Sequence, residues 1–184
     1  MDLGPATEGR AMAEQAVSEA DLDLEFASAL EADPNFLVWI LSGGRFAQYA
    51  NEARILIEEQ RSARKAAAHW WKHWWCRLPN GTEGETDVFL VLQAGDLRFA
   101  LHIENKPPSG TITLDQAQRY RQRAAFMAHN PKWLNYVDFE TLLIAPSSFI
   151  AKNRAAAVHF DRSVEYEALA AFAPLFGSVL TGAM

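Results

Sequence analysis

Apolar residues in the N-terminal part of the chain recur at helical spacing. In residues 22–31 they share one face, which predicts a helix. Asp33 followed by Pro34 has the pattern of an N-cap and a first-turn proline, so a second short helix is predicted there, ending at Gly43-Gly44. Residues 46–75 contain neither Gly nor Pro and are rich in Ala, Glu, Gln and Arg, which predicts a long helix up to the turn residues 78–81.

The period then shortens from that of a helix to that of a strand. Residues 86–93 form a nearly continuous apolar run, as in a strand covered on both faces. Residues 96–105 alternate, so that Glu104 and, if the strand continues, Lys106 point to one face and the large apolar residues point to the other. Ala94-Gly95 separates the two runs, and we therefore expect a hairpin.

The remainder of the chain mixes helix and strand. We predict a helix over 114–128, a strand over 139–145, a short helix over 147–155, an extended piece near 158–160 or 163–165, and a last helix over 166–173. This order predicts an α/β fold, a small mixed β-sheet flanked by helices with an N-terminal helical extension. Residues 1–20 are expected to be a flexible N-terminal segment and residues 21–184 a single domain.

Composition and charge narrow the class of protein. The chain of 184 residues contains one cysteine, Cys76, and no apolar run long enough to cross a bilayer, so we expect a cytoplasmic protein with no membrane partner. The net charge of −6 argues against a nucleic-acid partner, but its distribution weakens that objection. Residues 1–59 hold 12 acidic and 3 basic residues, whereas residues 60–184 hold 11 acidic and 14 basic ones.

The predicted hairpin brings together groups that suit a metal ion. Glu104 and Lys106 are two residues apart on one strand, so their side chains share a face. Asp87 begins the neighbouring strand, and pairing about the turn places it near residues 102–104. Hard cations such as Mg²⁺ favour clustered carboxylate oxygens, and such an ion generates hydroxide for phosphodiester hydrolysis.

These residues also carry a family resemblance. The stretches Gly84-Glu85-Thr86-Asp87-Val88 and His102-Ile103-Glu104-Asn105-Lys106 resemble the paired motifs of the PD-(D/E)XK nuclease superfamily. Gln116 and Tyr120 on the following helix resemble the Gln-x-x-x-Tyr motif of its RecB-like branch. The chain is also similar to uncharacterised bacterial members with an acidic N-terminal helix, and the likeness runs from about residue 21 to residue 173.

The resemblance implies a restriction-endonuclease-like core and a role for each matched residue. Asp87, Glu104 and the Asn105 backbone carbonyl would bind Mg²⁺ or Mn²⁺. Lys106 would orient or help to deprotonate the attacking water, and Gln116 and Tyr120 would steady the lysine or contact the substrate phosphate. Thr86 stands where the family usually has proline. Many members add a glutamate from the first core helix, and the sequence does not choose among three candidates: Glu52, Glu58 and Glu59.

Other interpretations of several residues stay open. Thr113 and Gln116 match a capping box, in which the Gln116 side chain would bond back to the Thr113 amide. Four tryptophans interleaved with basic residues fit a buried helix face better than a surface that stacks on unpaired nucleotides: Trp70, Trp71, Trp74 and Trp75. His69 and His73 have a spacing that suits zinc, but surface histidines are favoured. Cys76 is expected to be a buried or inert thiol rather than a nucleophile.

The sequence therefore supports two functions. The first is a metal-dependent nuclease acting on nucleic acid, with DNA more expected than RNA. The second is a catalytically silent binding or regulatory protein with the same fold, for which a homodimer through Phe36, Trp39 and Ile40 is the suggested assembly.

Overall fold

A computed structural model describes residues 17–182. The helices of this part of the chain are α1 (Glu19–Ala32), α2 (Pro34–Ser42), α3 (Ile57–Ala63), α4 (Leu114–Met127), α5 (Ser147–Lys152), α6 (Arg154–Ala157), α7 (Tyr166–Leu169) and α8 (Pro174–Thr181). Its strands are β1 (Arg54–Ile55), β2 (Trp74–Arg77), β3 (Glu83–Thr86), β4 (Val88–Ala94), β5 (Leu97–Asn105), β6 (Asp138–Ala145) and β7 (Arg162–Glu165). Short 3-10 turns lie at Ala47–Tyr49 and Pro131–Trp133.

The strands within residues 17–182 form one mixed sheet and one small ribbon. The sheet has the order β1-β4-β5-β6-β7, with β1, β4 and β5 antiparallel and β5, β6 and β7 parallel. The ribbon pairs β2 with β3 in antiparallel fashion. The predicted α/β class, with a small mixed sheet flanked by helices and an N-terminal helical extension, is thus confirmed.

The β4–β5 hairpin is confirmed with a small shift of its turn. Ala94 pairs with Leu97, so Gly95 and Asp96 form the two-residue connection instead of Ala94-Gly95. Gly95 has a φ of +54°, which suits a glycine because it carries no Cβ. Val88 pairs with Ile103, and Asp87 therefore begins its strand beside Glu104, as the sequence predicts.

Apolar side chains cover both faces of the sheet. Leu90 and Leu101 pack with the N-terminal helices on one face, whereas Phe89 and Ala100 belong to a cluster on the other. A further cluster, which includes Leu143, joins β6 to α4 and to the segment α5–α6. The single helix predicted over 147–155 is thus two short helices, α5 and α6. Both pack against α4.

The N-terminal helices begin at the side chains that cap them. Ser18 and Asp21 form a reciprocal capping box, so α1 begins at Glu19, three residues before the predicted start. Asp33 accepts a hydrogen bond from the Asn35 amide and Pro34 occupies the first turn of α2, as predicted. Residues 1–16 of the predicted flexible segment lie outside the described residues, but its last two residues belong to α1.

The long helix predicted for residues 46–75 is wrong. In its place the chain forms a 3-10 turn, β1, α3, an irregular segment and β2. Buried Gln60 explains part of the difference, because its side chain accepts from the Val91 amide at 2.8 Å and donates to the Phe89 carbonyl at 2.9 Å. These bonds fix α3 against β4 and satisfy backbone groups that a continuous helix would leave without partners.

The tryptophans of this segment consequently do not form a helical stripe. Trp70 and Trp71 pack on the face of the sheet that the N-terminal helices cover, and Trp74 packs in the cluster on the opposite face. These three are buried, as expected of core residues, but Trp75 on β2 is 47% exposed. Cys76 is buried, and burial raises the pKa of its thiol, which agrees with an inert cysteine.

The C-terminal part of the chain, from β7 onwards, packs against the N-terminal helices. β7 and α7 lie where the extended piece 163–165 and the last helix were predicted, while α8 was not predicted. Phe36 and Ile40 are fully buried, and Trp39 packs on Phe172 with ring centroids 5.3 Å apart. Phe36 and Ile40 are therefore core residues that offer no surface to a second copy, and Trp39 is partly buried against this core. Dimerisation itself stays a prediction. Among residues 17–182, no helix has both the length and the apolar character needed to cross a membrane.

Candidate metal centre

Asp87 lies between β3 of the ribbon and β4 of the mixed sheet. β3 ends at Thr86 and β4 begins at Val88, so the aspartate occupies the step between them. Thr86 is fully buried, and its hydroxyl lies 3.1 Å from Nδ1 of His102 on β5. Thr86 therefore anchors the backbone immediately before the carboxylate.

His102 extends this chain of hydrogen bonds to α4. Its Nε2 lies 3.0 Å from the Tyr136 hydroxyl, which donates to the Ala124 carbonyl at 2.5 Å. Because that hydroxyl donates elsewhere, it accepts from Nε2–H, and Nδ1 is left to accept from Thr86. Burial, aided by the charge of Arg123, lowers the pKa of His102 to about 3, so the ring stays neutral and this chain of bonds persists at neutral pH.

Glu104 and Lys106 come from the end of β5, where the strand lies beside parallel β6. The Lys106 amide donates to the Ile144 carbonyl at 2.8 Å, which continues the ladder one residue beyond the strand. Glu104 is 1% exposed and Lys106 is 6% exposed. The Lys106 ammonium lies 2.7 Å from Oε1 of Glu104, so the two form a buried ion pair on one face, as their spacing predicts.

A third carboxylate comes from α1, which the sequence did not indicate. Glu19 lies in the first turn of that helix, and its Oε1 is 3.0 Å from the Lys106 ammonium. Glu19, Asp87 and Glu104 each offer an oxygen such that these atoms all lie within 4.8 Å of one another. The prediction that Asp87 lies near Glu104 is thus confirmed. Glu19 was missed because it falls in the segment expected to be flexible.

Asp23 forms a layer beneath these carboxylates. It lies one turn after Glu19, is 3% exposed, and accepts a hydrogen bond from the Asn105 side-chain amide at 3.1 Å. The Asn105 side-chain oxygen in turn accepts from the Tyr166 hydroxyl. This network joins α1, β5 and α7, and it fixes the strand end that carries Glu104 and Lys106.

Two carboxyl groups at the site, those of Asp87 and Asp23, have raised pKa values. Burial, together with the charges of Glu104 and Asp23, raises the pKa of Asp87 well above its usual value. Burial also raises the pKa of Asp23 to about 7, although the hydrogen bond from Asn105 acts in the opposite direction. Negative charge is thus in excess here, because Lys106 alone does not balance its neighbours.

Lys106 itself is held in the charged form. Burial acts to lower its pKa, but the adjoining carboxylates of Glu104, Asp87 and Glu19 outweigh burial and raise the pKa above its usual value. An ammonium has three N–H donors and no lone pair. Lys106 in this arrangement is therefore suited to orienting a water or a phosphate oxygen rather than to accepting a proton.

Gln116 faces the site as the family resemblance implies. Its side-chain amide donates to Oε1 of Glu104 at 2.5 Å. The Thr113 hydroxyl does accept from the Gln116 backbone amide at 3.1 Å, so one half of the capping box exists. The other half does not form, because the glutamine side chain bonds to Glu104 instead of returning to Thr113.

Tyr120 lies beneath the site rather than in it. The side chain is 1% exposed, and its hydroxyl donates to the Ile103 carbonyl and accepts from the Asp87 amide, each at 3.4 Å. Arg123 covers the ring, with its guanidinium carbon 4.3 Å from the ring centroid. Tyr120 thus fixes the positions of Asp87 and Ile103 on adjacent strands, and its contact with a substrate phosphate is not supported by this burial.

The remaining sequence candidates lie elsewhere. Glu58 pairs with Arg61, and Glu59 pairs with Arg98. Glu52 is an exposed residue of the turn before β1, so none of the three completes the site. His73 contacts Glu85, and His69 stacks on Trp71 with ring centroids 5.1 Å apart, so the two histidines do not share a metal position.

The donor set fits a hard divalent cation. Mg²⁺ and Mn²⁺ bind to carboxylate oxygens supplied by a few side chains and leave other positions to water or substrate. Three carboxylates from separate parts of the chain converge here, one of them almost fully buried, and one ammonium balances only part of their negative charge. The ligand role of the Asn105 carbonyl stays a prediction.

No protein-family model, no curated protein and no solved structure matches this chain.

Proposed function

We propose that this chain is a metal-dependent nuclease that hydrolyses phosphodiester bonds of DNA or RNA. Glu19, Asp87 and Glu104 would hold Mg²⁺ or Mn²⁺, which supplies a hydroxide nucleophile and neutralises charge at phosphorus when bound. The convergence of three carboxylates beside the Lys106 ammonium is the observation that carries the proposal. The likeness to PD-(D/E)XK motifs supports the same function.

The protein residues have distinct tasks in this proposal. Lys106 orients the attacking water or a non-bridging phosphate oxygen, because its ammonium stands among the carboxylates and stays protonated. Gln116 holds the Glu104 carboxylate in place through its amide. Tyr120 and the Thr86–His102–Tyr136 chain keep Asp87 in position from below.

The charge around the site supports a polyanionic substrate. Residues 60–82 contain no acidic residue and five basic ones: Arg61, Arg64, Lys65, Lys72 and Arg77. Of these, Lys72 lies near enough to Asp23 for its charge to oppose the burial that raises the pKa of that carboxyl group. A cationic surface beside a carboxylate cluster compensates for the repulsion that the cluster exerts on phosphates.

A non-catalytic nuclease-fold binding protein is the second candidate. The ion pairs of Lys106 with Glu104 and Glu19 satisfy part of the carboxylate cluster without a metal. Such a protein would keep the fold and the basic surface and would bind nucleic acid or another partner without cleaving it.

A cleavage assay separates the two candidates. Wild type, Asp87→Ala and Lys106→Ala should be incubated with single- and double-stranded DNA and RNA at low salt, with Mg²⁺ or Mn²⁺. The nuclease proposal predicts cleavage by the wild type alone, abolished by chelation. Absence of cleavage together with absence of metal uptake by the wild type favours the binding protein. Equal cleavage by wild type and Asp87→Ala would reveal a contaminating enzyme.

A further inference from the structure

A second polar feature lies beside the β2–β3 ribbon. A cavity of about 530 Å³ opens there, within the range of roughly 300–1,000 Å³ that small-molecule sites occupy. Its walls include the rings of Trp74, Trp75 and Trp133 and the basic side chains of Arg64 and Lys132. None of these residues takes part in the metal centre.

The aromatic walls differ in how firmly they are held. Trp74 is buried, and its indole N–H donates to the Trp70 carbonyl at 2.6 Å, which fixes the plane of the ring. Trp133 is 4% exposed and packs edge-to-face on Phe126. Trp75, another lining residue and the next residue on β2, is 47% exposed, so it presents a large apolar surface to solvent. An indole in this position is available to stack on a flat ligand.

The charge of the cavity is positive. The Arg64 guanidinium carbon lies 5.4 Å from the Trp74 ring centroid, and the Lys132 ammonium lies 4.8 Å from that of Trp133. Neither cation has a carboxylate partner among residues 17–182, whereas Arg77 at the rim pairs with Glu83. Aromatic rings beside unpaired cations match a ligand that combines a flat ring with a negative charge.

The ribbon connects this cavity to the metal centre. Trp75 pairs with Glu85 on β3, and Asp87 follows two residues later, about 7 Å along an extended chain. A nucleic acid with one phosphate at Asp87 would therefore bring a neighbouring nucleotide to the β2–β3 ribbon. In a duplex the bases are stacked and paired, so only an unpaired strand can offer a base to Trp75.

We propose that this cavity binds an unpaired nucleotide of a single-stranded nucleic acid, with the base stacked on Trp75 and the phosphates held by Arg64 and Lys132. The inference rests on the proposed nuclease function and specifies its substrate as a single strand or a single-stranded end.

The test is binding measured by fluorescence anisotropy in EDTA, where no cleavage occurs. The probes are a labelled 12-nucleotide single-stranded DNA, the same sequence as RNA, and a blunt duplex. Wild type should bind a single strand more tightly than the duplex. Trp75→Ala should weaken that binding about five-fold or more, since one base–aromatic stack is worth about 1–3 kcal/mol. Trp75→Phe keeps an aromatic ring and should retain most of the affinity.

The cations have a separate signature. Arg64→Ala combined with Lys132→Ala should weaken binding and flatten the plot of log affinity against log salt by roughly 1.4, the value for two lost phosphate contacts on a single strand. Lys152→Ala, which removes an exposed cation of α5 outside the cavity, should bind as the wild type does. Melting curves of each variant establish that it is folded.

The outcomes distinguish the two proposals. If Trp75→Ala and the double variant bind single strands as tightly as the wild type, or if no oligonucleotide binds, the cavity proposal is overturned, whatever the result of the cleavage assay. Equal affinity of the wild type for duplex and single strand overturns it as well. Binding through the cavity without cleavage of any substrate in Mn²⁺ supports the cavity proposal and contradicts the nuclease.

Discussion

Lys106 is the residue on which the proposed chemistry and the stability of the site both depend. Its ammonium is the counter-charge of Glu104, whose side chain is 2% exposed, and of Glu19. A buried carboxylate that loses its partner is costly, by about 3–5 kcal/mol when a buried pair is broken from one side. Removing this lysine therefore changes more than the positioning of a water.

We predict that Lys106→Ala loses metal-dependent cleavage by about 10²- to 10³-fold, as is typical when a hydrogen-bond donor that stabilises transition-state charge is removed. We also predict a loss of about 3 kcal/mol in the free energy of unfolding without metal, partly recovered in saturating Mn²⁺. Urea denaturation in EDTA and in Mn²⁺ measures both effects, with Lys152→Ala as the control. A variant as stable as the wild type in EDTA would show that Glu104 does not depend on this ammonium.

Asp23 gives the metal-free protein a definite pH dependence. Its pKa is about 7 in the folded chain against 3.8 as the ordinary value, so the folded state holds a proton that the unfolded state releases between these limits. The contribution of Asp23 to stability therefore falls as pH rises from about 4 to 7.

Asp23→Asn should remove that fall, because asparagine stays neutral and can still accept the hydrogen bond from Asn105. We expect the variant to match the wild type near pH 4 and to exceed it by about 2–4 kcal/mol above pH 8 in EDTA. Urea midpoints across this range provide the measurement. A variant that is no more stable than the wild type at pH 8 would contradict a buried, protonated Asp23.

At the scale of elements, the site depends on where three of them end. β5 delivers Glu104 and Lys106 at its carboxyl end, the β3–β4 junction delivers Asp87, and the first turn of α1 delivers Glu19. The positions of Asp87 and Glu104 could be predicted, because the pairing of the β4–β5 hairpin follows from local sequence and from the period of two along a strand. Glu19 could not, because its place depends on how α1 packs across the sheet.

Glu19→Gln tests the contribution of α1. Loss of one ligand charge should raise the dissociation constant for Mn²⁺ by about ten-fold or more, with little change in stability, since Glu19 is only partly buried. Glu25→Gln removes a carboxylate from the same helix outside the site and serves as the matched control. Calorimetric titration of both variants makes the comparison. Equal affinities would show that α1 supplies no ligand.

The segment 46–75 shows why propensity failed. Its composition favours a helix, but its apolar residues have to serve opposite faces of the sheet: Ile55 pairs with Leu92, Trp71 packs on one side and Trp74 on the other. One straight helix cannot reach both faces. Tertiary packing therefore overrides a difference in helix propensity of only about 0.7 kcal/mol per residue or less.

At the scale of the whole molecule, the two differently charged parts of the chain meet at the metal centre. The acidic part supplies Glu19 and Asp23 through α1, and the basic part supplies Lys106 and the cationic segment 60–82. The α/β class and the β4–β5 hairpin could be inferred from periodicity, whereas β1, α3 and the β2–β3 ribbon with its cavity could not, because they depend on packing and pairing across an irregular loop.

The most direct test of the account is a calorimetric titration of Mn²⁺ into the metal-free wild type and into Asp87→Asn at pH 8. Asp96→Asn, which removes an exposed carboxylate from the β4–β5 turn, is the matched control. We predict saturable binding of Mn²⁺ by the wild type and by Asp96→Asn, and loss of that binding in Asp87→Asn. Failure of the wild type to bind, or binding by Asp87→Asn equal to that of the wild type, would contradict a metal centre built on Glu19, Asp87 and Glu104.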